Sequence, residues 1–277
     1  MRRNNEERLL KGHKPTPTEE ASLPNPMDFV RPSQFVDLPS KGNYPHGHPL
    51  HGCESIEINY MTAKDEDILT NKSLLRKGLA IDNLIQNLIK DKSINGRSMY
   101  LGDRNAILVY ARASAYGEDY KTKMQCPACE TVSKTTFDLS EHETYTVDVE
   151  DNPEIKDLHD GTYQVTLPAS GIVTTIKPLT GQDELQMLAS EKSKDRTNNL
   201  ITKQMKQFVV DFNGYDDEST IYYVVDNMVA KDSRYLRKCH DNISPDIVMR
   251  QEFECKNCGH KEVVSVPFGT DFFWPES

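Results

Sequence analysis

Two Cys-x-x-Cys pairs, far apart in the chain, constrain the fold of this sequence more than any other feature. Cys126 and Cys129 form the first pair, and Cys255 and Cys258 form the second. A gap of two residues lets one tight turn direct both thiolates at a single ion. Two such turns complete a tetrahedral shell of four sulfurs, which suits Zn²⁺. We therefore predict one structural zinc ion per chain, bound by these four cysteines.

Short segments of high β propensity flank each pair, as in the two halves of a zinc ribbon. The predicted halves are residues 121–139 and 247–268, and Gly259 can supply the positive φ that such turns often need. About 125 residues separate the pairs, whereas a simple ribbon has about 15–20. If both pairs share one zinc, residues 130–254 are a large insertion that the metal closes at its base.

Two other interpretations of the cysteines stay open, namely two unrelated turns or a redox pair. A thioredoxin-like redox motif needs a strand followed by a helix, and neither pair has that context. A structural site of four sulfurs has no open coordination position and so performs no chemistry. Its predicted role is to stabilise a thin core, because only 36% of the 277 residues are hydrophobic.

The charge balance argues against a protein that grips nucleic acid over its whole surface. Asp and Glu total 43 against 33 Lys and Arg, which gives a net charge of −10, whereas nucleic-acid binding needs a basic surface. The Cys-x-x-Cys turns are nevertheless locally basic, so a zinc-ribbon regulator that binds nucleic acid stays an alternative. The basic residues there are Lys121, Lys123, Lys134, Lys256, His260 and Lys261.

Neither a membrane span nor a secretory signal is predicted. The chain has no run of about 18 apolar residues, and its N-terminus has no apolar core of the kind a signal peptide needs. Without export, cysteines are more often metal ligands, reactive thiols or small buried apolar groups than disulfides.

The pattern of residues predicts an α+β fold with an extended N-terminal arm and a helical N-terminal half. Residues 1–30 are rich in Pro, Asn, Glu and Lys, too polar to order alone, and we expect them to gain order beside a partner. Residues 31–120 are predicted to hold a strand at 55–60, with Ile56, Ile58 and Tyr60 on one face, and two helical regions. In the second of these, over residues 103–117, Asp103 is the expected N-cap and Arg104 is expected to pair on the surface.

Between the two predicted halves of the ribbon, residues 140–246 are predicted to form an inserted region that combines strands with helices. We call this region the insertion. Alternating β-prone runs predict strands at 145–149, 163–167 and 172–176. Helical spacing of apolar residues predicts a long polar helix over about 181–211 and further helix over about 219–240, with a strand over residues 222–225 as the alternative within the second range.

Other candidate sites have simpler interpretations. His46, His48, His51 and Cys53 lie close together and could bind a transition metal, but the surrounding Gly and Pro residues favour a loop with solvated histidines. Cys53 and Cys239 are predicted to be small buried residues. The chain shows no catalytic motif of the nucleophile-elbow, zinc-protease, P-loop or dinucleotide type, so we predict no enzymatic activity and no small-molecule substrate.

The C-terminal segment, residues 269–277, is unusually aromatic. Phe272, Phe273 and Trp274 would form an exposed apolar patch if this end were free. The segment is therefore expected either to dock on its own domain or to insert into a partner, and aromatic anchors of this kind dominate interface energetics.

Several short segments, taken in order, carry a family resemblance. They are residues 35–42, 61–70, 101–104, 115–117, 126–129, 253–259 and 272–275. Together they resemble T4-like bacteriophage baseplate hub proteins, a family of hub subunits and hub assembly proteins, from about residue 30 to the end.

The resemblance implies a structural component of the baseplate hub in a contractile phage tail. It implies contacts with other baseplate and tail proteins and no enzymatic activity, and it leaves open whether the chain stays in the virion or only helps assembly. We predict a place in the virion after assembly in the host cytoplasm. A hub assembly factor that is absent from the mature virion is the alternative within the same family. The resemblance adds no site residues beyond the four cysteines.

Overall fold

The computed structural model describes residues 31–147, 152–191, 200–267 and 272–273. The chain divides into two compact units, Met1–Arg31 and Pro32–Ser277, and every described helix and strand lies in the second. The predicted N-terminal arm, residues 1–30, lies outside the described residues.

Helices and strands are mixed along the described part of the chain. The helices are α1 (Ala63–Thr70), α2 (Lys72–Lys77), α3 (Ala80–Leu88), α4 (Leu101–Tyr116), α5 (Gly181–Glu191), α6 (Leu200–Phe208), α7 (Glu218–Asp226) and α8 (Ala230–Ile243). The strands are β1 (Ser33–Asp37), β2 (Ser55–Asn59), β3 (Asp119–Gln125), β4 (Val132–Asp138), β5 (Glu143–Tyr145), β6 (Lys156–Asp157), β7 (Tyr163–Thr166), β8 (Val173–Ile176), β9 (Val209–Phe212), β10 (Asp246–Val248), β11 (Arg250–Glu254) and β12 (Lys261–Ser265).

The sheets are small and antiparallel. Among the described residues, four are two-stranded pairs, β1 with β2, β3 with β4, β5 with β10, and β11 with β12, and a fifth has the order β6-β7-β8-β9. Two-stranded sheets have little stability alone, so each must pack its apolar face on other elements.

The described residues of this unit form two hydrophobic clusters. The first combines residues 36–139 with residues 247–273, and the second is built from residues 155–243. In β2 the alternation buries Ile56 and Ile58 in the first cluster, as the sequence predicts, while Tyr60 lies beyond the strand and is half-buried. The inserted segment therefore has a core of its own.

The chain leaves the first hydrophobic cluster at β5 and returns to it at β10, and these two strands pair. Strand β5, near the start of the insertion, pairs with β10 at its end, with Asp246 opposite Tyr145. The start of α4 and the start of α5 make a second set of contacts. The backbone N–H of Leu101 donates to the Leu179 carbonyl, and that of Gly181 donates to the Met99 carbonyl. The insertion is thus fastened to the rest of the unit by backbone hydrogen bonds as well as by side chains.

The prediction that Asp103 is the N-cap of helix α4 is wrong. The N-cap is Tyr100, and Asp103 lies in the first helical turn, fully buried. Its carboxylate accepts hydrogen bonds from the Ser40 backbone N–H (2.9 Å), from Ser40 Oγ (2.6 Å) and from the Tyr44 hydroxyl (2.6 Å). Burial raises the pKa of Asp103, and these hydrogen bonds oppose the shift. Asp103 therefore anchors the loop before β2 onto helix α4.

Arg104 was also predicted wrongly, because its ion pair is buried rather than on the surface. Its guanidinium donates to Asp82 Oδ1 at 2.6 Å and to the Gly96 carbonyl at 2.7 Å. A Cβ atom at Gly181 would lie 2.5 Å from the guanidinium carbon, so the start of α5 passes directly against it. The pair thus joins α3, α4 and the insertion.

The long helix predicted over 181–211 is interrupted. Helix α6 ends at Phe208, and Val209–Phe212 form β9, which pairs with β8. The β-branched and aromatic residues of this segment favour a strand once a partner strand is available. The helix predicted over 219–240 is instead two helices, α7 and α8.

Loss of the buried Arg104 charge is predicted to destabilise the fold strongly. Arg104→Met leaves the Asp82 carboxylate buried without its main partner, so we expect a loss of about 3–5 kcal/mol in the free energy of unfolding. Urea denaturation of the wild type and the variant measures this loss in the free energy of unfolding. The control is Lys90→Met, which breaks the exposed pair with Glu57 and is expected to cost less than about 1 kcal/mol. Equal losses in the two variants would contradict the assignment.

The buried imidazole of His240 predicts a specific pH dependence. Its ring stacks on Phe208 with centroids 4.1 Å apart, and burial lowers its pKa to about 4. In an unfolded chain the pKa is about 6.5. The unfolded state therefore binds the proton more tightly, and stability falls as the pH falls from about 6.5 to about 4.

The difference between the two pKa values corresponds to about 3 kcal/mol. The variant His240→Gln is expected to lose this part of the pH dependence in urea unfolding measured between pH 4.5 and 7.5. His46→Gln, which replaces an exposed histidine, is expected to keep it. If His240→Gln retains the wild-type slope, the imidazole is not buried in its neutral form.

Candidate metal centre

Two β-hairpins bring the Cys-x-x-Cys turns into position. In the first, β3 and β4 alternate strictly, so that Tyr120 and Phe137 face each other on the buried side. In the second, β11 and β12 bury Phe253 and Val264. Each hairpin thus packs on the first hydrophobic cluster through one face and carries its two cysteines at the tip.

The two turns have the same backbone geometry. In the first, the Glu130 N–H donates to the Cys126 carbonyl and the Cys126 N–H donates to Thr131. In the second, the Gly259 N–H donates to the Cys255 carbonyl and the Cys255 N–H donates to His260. Both turns use a left-handed residue at the same position, Glu130 at φ 58 and Gly259 at φ 69. The positive φ predicted for Gly259 is therefore present, whereas a glutamate adopts it in the first turn.

The four predicted sulfur ligands lie together. Cys126 Sγ is 3.8 Å from Cys258 Sγ, and Cys129 Sγ is 3.7 Å from Cys255 Sγ. All four sulfurs lie within 4.8 Å of one another. In a tetrahedron with bonds of about 2.3 Å to a central Zn²⁺, the sulfurs are about 3.8 Å apart. The spacing therefore fits one metal ion shared by both pairs.

The environment of the sulfurs also favours a cation among them. Hydrogen bonds from Thr131 and Asn257 lower the pKa of Cys129 to about 5. The His260 N–H favours the Cys258 thiolate, but sulfur–sulfur hydrogen bonds, that with Cys129 first, outweigh it and raise the pKa of Cys258 to about 12. Without a metal, Cys258 is therefore a thiol beside the Cys129 thiolate, and all four sulfurs can be thiolates only if a bound dication offsets their mutual repulsion.

Contacts between the two hairpins hold the sulfurs in register. Asn257 of the second turn donates to Cys129 Sγ at 3.7 Å and to Thr131 Oγ1 at 3.1 Å in the first. The Gln251 amide accepts from the Asp138 backbone N–H at 2.9 Å and donates to the Asp138 carbonyl. Such contacts orient ligands around a metal. Neither Gln251 nor Asn257 was predicted, because the motif alone does not show which residues face across the hairpins.

The histidine loop does not assemble a comparable centre. Among the described residues, the four cysteines alone form a group of metal-ligating side chains. His48 stacks on Tyr44 with centroids 4.3 Å apart and contacts Ser98 Oγ at 2.9 Å. His51 contacts the Tyr44 carbonyl. The loop is thus held by contacts to Tyr44, rather than being wholly solvated. Of the two remaining cysteines, Cys239 is buried as predicted and Cys53 is half-buried.

The aromatic C-terminal residues that the structure describes pack on the chain itself. Phe272 and Phe273 are both buried, and Phe272 packs edge-to-face on Tyr120 with centroids 5.1 Å apart. The Arg112 guanidinium donates to the Phe272 carbonyl at 2.8 Å. Of the two alternatives for this segment, these two residues therefore show docking on their own unit. Trp274 lies outside the described residues, and a partner-binding role for the segment stays a prediction.

No helix in the described ranges combines the length and apolarity that crossing a bilayer requires.

Comparison with known protein families gives a match. A family model described as "T4 bacteriophage base plate protein" matches residues 32–274, which include both hairpins, both hydrophobic clusters and all four cysteine ligands. A search of curated proteins and a search of solved structures gave no match. The chain therefore belongs to the T4 bacteriophage base plate protein family, and its role is that of a structural protein of a phage baseplate.

Proposed function

We propose that this chain is a component of the baseplate hub in a contractile phage tail, acting through contacts with other tail proteins and stabilised by one structural zinc ion. The family match over residues 32–274 is the observation that carries the baseplate role. The short segments that resemble hub proteins, taken in their order along the chain, support the hub as the location of this component.

The zinc proposal rests on the geometry of the four cysteines. Two hairpins about 125 residues apart in sequence bring their sulfurs to 3.7–3.8 Å across the pairs. An all-sulfur set of four ligands is typical of structural Zn²⁺. A closed shell leaves no position for a substrate, so the metal supplies folding free energy rather than catalysis.

Nucleic-acid binding is less well supported than a baseplate role. Of the basic residues near the second turn, Lys261 pairs with Glu254 at 3.0 Å and His260 lies 3.2 Å from Glu262. These carboxylates reduce the local positive charge on which phosphate binding depends. The chain as a whole is acidic, with a net charge of −10.

Mass spectrometry of purified phage particles tests the proposed place in the virion. The chain is expected in the particles at a constant ratio to other baseplate proteins, and it should stay with isolated baseplates. Its presence in infected cells together with its absence from particles would reject the structural proposal and support the assembly-factor alternative.

Metal analysis of the purified chain should find about one zinc per chain. Cys126→Ser or Cys258→Ser is expected to lose the metal and the stability together, because binding free energy at such a site is folding free energy. Cys53→Ser is the matched control, since Cys53 is half-buried and does not belong to the group of four cysteines. Less than a tenth of an equivalent of zinc in fresh, unchelated protein would contradict the proposal.

A further inference from the structure

Exposed apolar side chains concentrate on one part of the insertion. Ten large hydrophobic side chains are exposed within the described ranges, and six of them fall between residues 200 and 229. These six are Leu200, Ile201, Tyr215, Tyr222, Tyr223 and Val229. They belong to α6, α7 and the adjoining loops, and α6, β9 and α7 contact one another. Single exposed apolar residues are normal, but a group on adjacent elements is typical of an interaction surface.

Helix α7 shows that this exposure follows a pattern. Ser219, Tyr222, Tyr223 and Asp226 are all exposed, at the spacing i, i+3, i+4 and i+7 that lines one side of a helix. The opposite side buries Ile221 and Val225 in the core of the insertion. We refer to these four exposed residues as the α7 outer face. The buried side therefore holds the helix in place, and both tyrosines are exposed to solvent.

The segment that carries the α7 outer face is acidic, although Lys206 of α6 pairs with one of its carboxylates, Asp226. Residues 207–230 contain five carboxylates and no Lys or Arg. The carboxylates are Asp211, Asp216, Asp217, Glu218 and Asp226. Four of them, all except Asp211, are exposed. A partner for this face must therefore complement both aromatic rings and negative charge.

A lysine within the chain already shows how the α7 outer face binds a cation. Lys206 Nζ, from α6, lies 4.6 Å from the centroid of the Tyr222 ring. The same ammonium group lies 2.7 Å from Asp226 Oδ1. A ring face and a carboxylate thus act together on one positive charge, which is the chemistry of cation–π recognition. Tyr223, 72% exposed, offers a second ring beside it.

We propose that the α7 outer face docks a segment of another tail protein that presents Arg or Lys side chains among apolar ones. Arginine fits best, because its planar guanidinium stacks on aromatic rings and pairs with carboxylates at the same time. Tyrosine supplies large, rigid contact area and is frequent among the residues that dominate binding energy. The inference rests on the proposed function, in that it takes the partner from the same tail.

Photo-cross-linking in phage-infected cells tests the docking proposal. A photo-reactive amino acid replaces Ser219 in the full chain, and the same amino acid at Phe35, an exposed residue of β1, is the control site. The cross-linked peptide is identified by mass spectrometry. Position 219 is expected to capture one tail protein through a peptide with an excess of Arg and Lys, and the Phe35 position is expected not to capture that peptide.

Variants of Tyr223 identify the chemistry of the contact. In the chain that carries the photo-reactive amino acid in place of Ser219, Tyr223→Ala is expected to lower the cross-link yield about tenfold, because it removes an aromatic anchor. Tyr223→Phe keeps the ring face and is expected to keep most of the yield. Since the side chain is exposed, neither variant should change the urea midpoint.

Several results would overturn the docking proposal. They are a captured peptide without Arg or Lys, capture of DNA or of a second copy of this chain, and a yield that Tyr223→Ala does not change. Lack of any cross-link from position 219, while the chain is present in particles, would also reject it and leave the baseplate role intact. Absence of the chain from particles, with the basic peptide still captured in cells, would reject only the proposed place in the virion.

Discussion

The arrangement of the four cysteines is the constraint on which the rest of the architecture depends. Their sulfurs meet across 3.7–3.8 Å although the two pairs lie about 125 residues apart. Closing a loop of this length costs conformational entropy that two short hairpins cannot offset alone. Because the insertion has its own hydrophobic cluster, the group of four cysteines and the β5–β10 pair need only fix its two ends.

Buried side chains at the seam between the two hydrophobic clusters add to the constraint that the four cysteines impose. Arg104 joins α3 and α4 through Asp82 while the start of α5 passes against its guanidinium. Asp103, its neighbour, holds the loop around Ser40. Buried charges of this kind cost free energy to desolvate and tolerate few alternative partners. The seam therefore fixes how the insertion meets the rest of the unit, which in turn fixes where the acidic, tyrosine-bearing α7 outer face is displayed to the surroundings.

The features that sequence reasoning predicted are those that depend on near neighbours. The Cys-x-x-Cys turns, the positive φ of Gly259, the buried face of β2 and the extent of α4 all follow from residues within about one turn or one strand of each other. Asp103 and Arg104 were placed wrongly because their partners lie 63 and 22 residues away. The strand β9 was missed because Val209–Phe212 continue a helical pattern until β8 offers a partner. Glu130 in the left-handed region carries no sequence signal, since glycine is the residue that usually marks it.

X-ray absorption spectroscopy at the zinc edge tests most directly the claim that one metal ion joins both hairpins. Four sulfur neighbours at about 2.3 Å, with no nitrogen or oxygen in the first coordination shell, are the predicted result. The spectrum should lose this signature in Cys126→Ser and in Cys258→Ser alike, because each removes a ligand of the same ion. A shell of two sulfurs completed by nitrogen or oxygen, in protein that binds two zinc ions per chain, would show two separate sites and contradict the account.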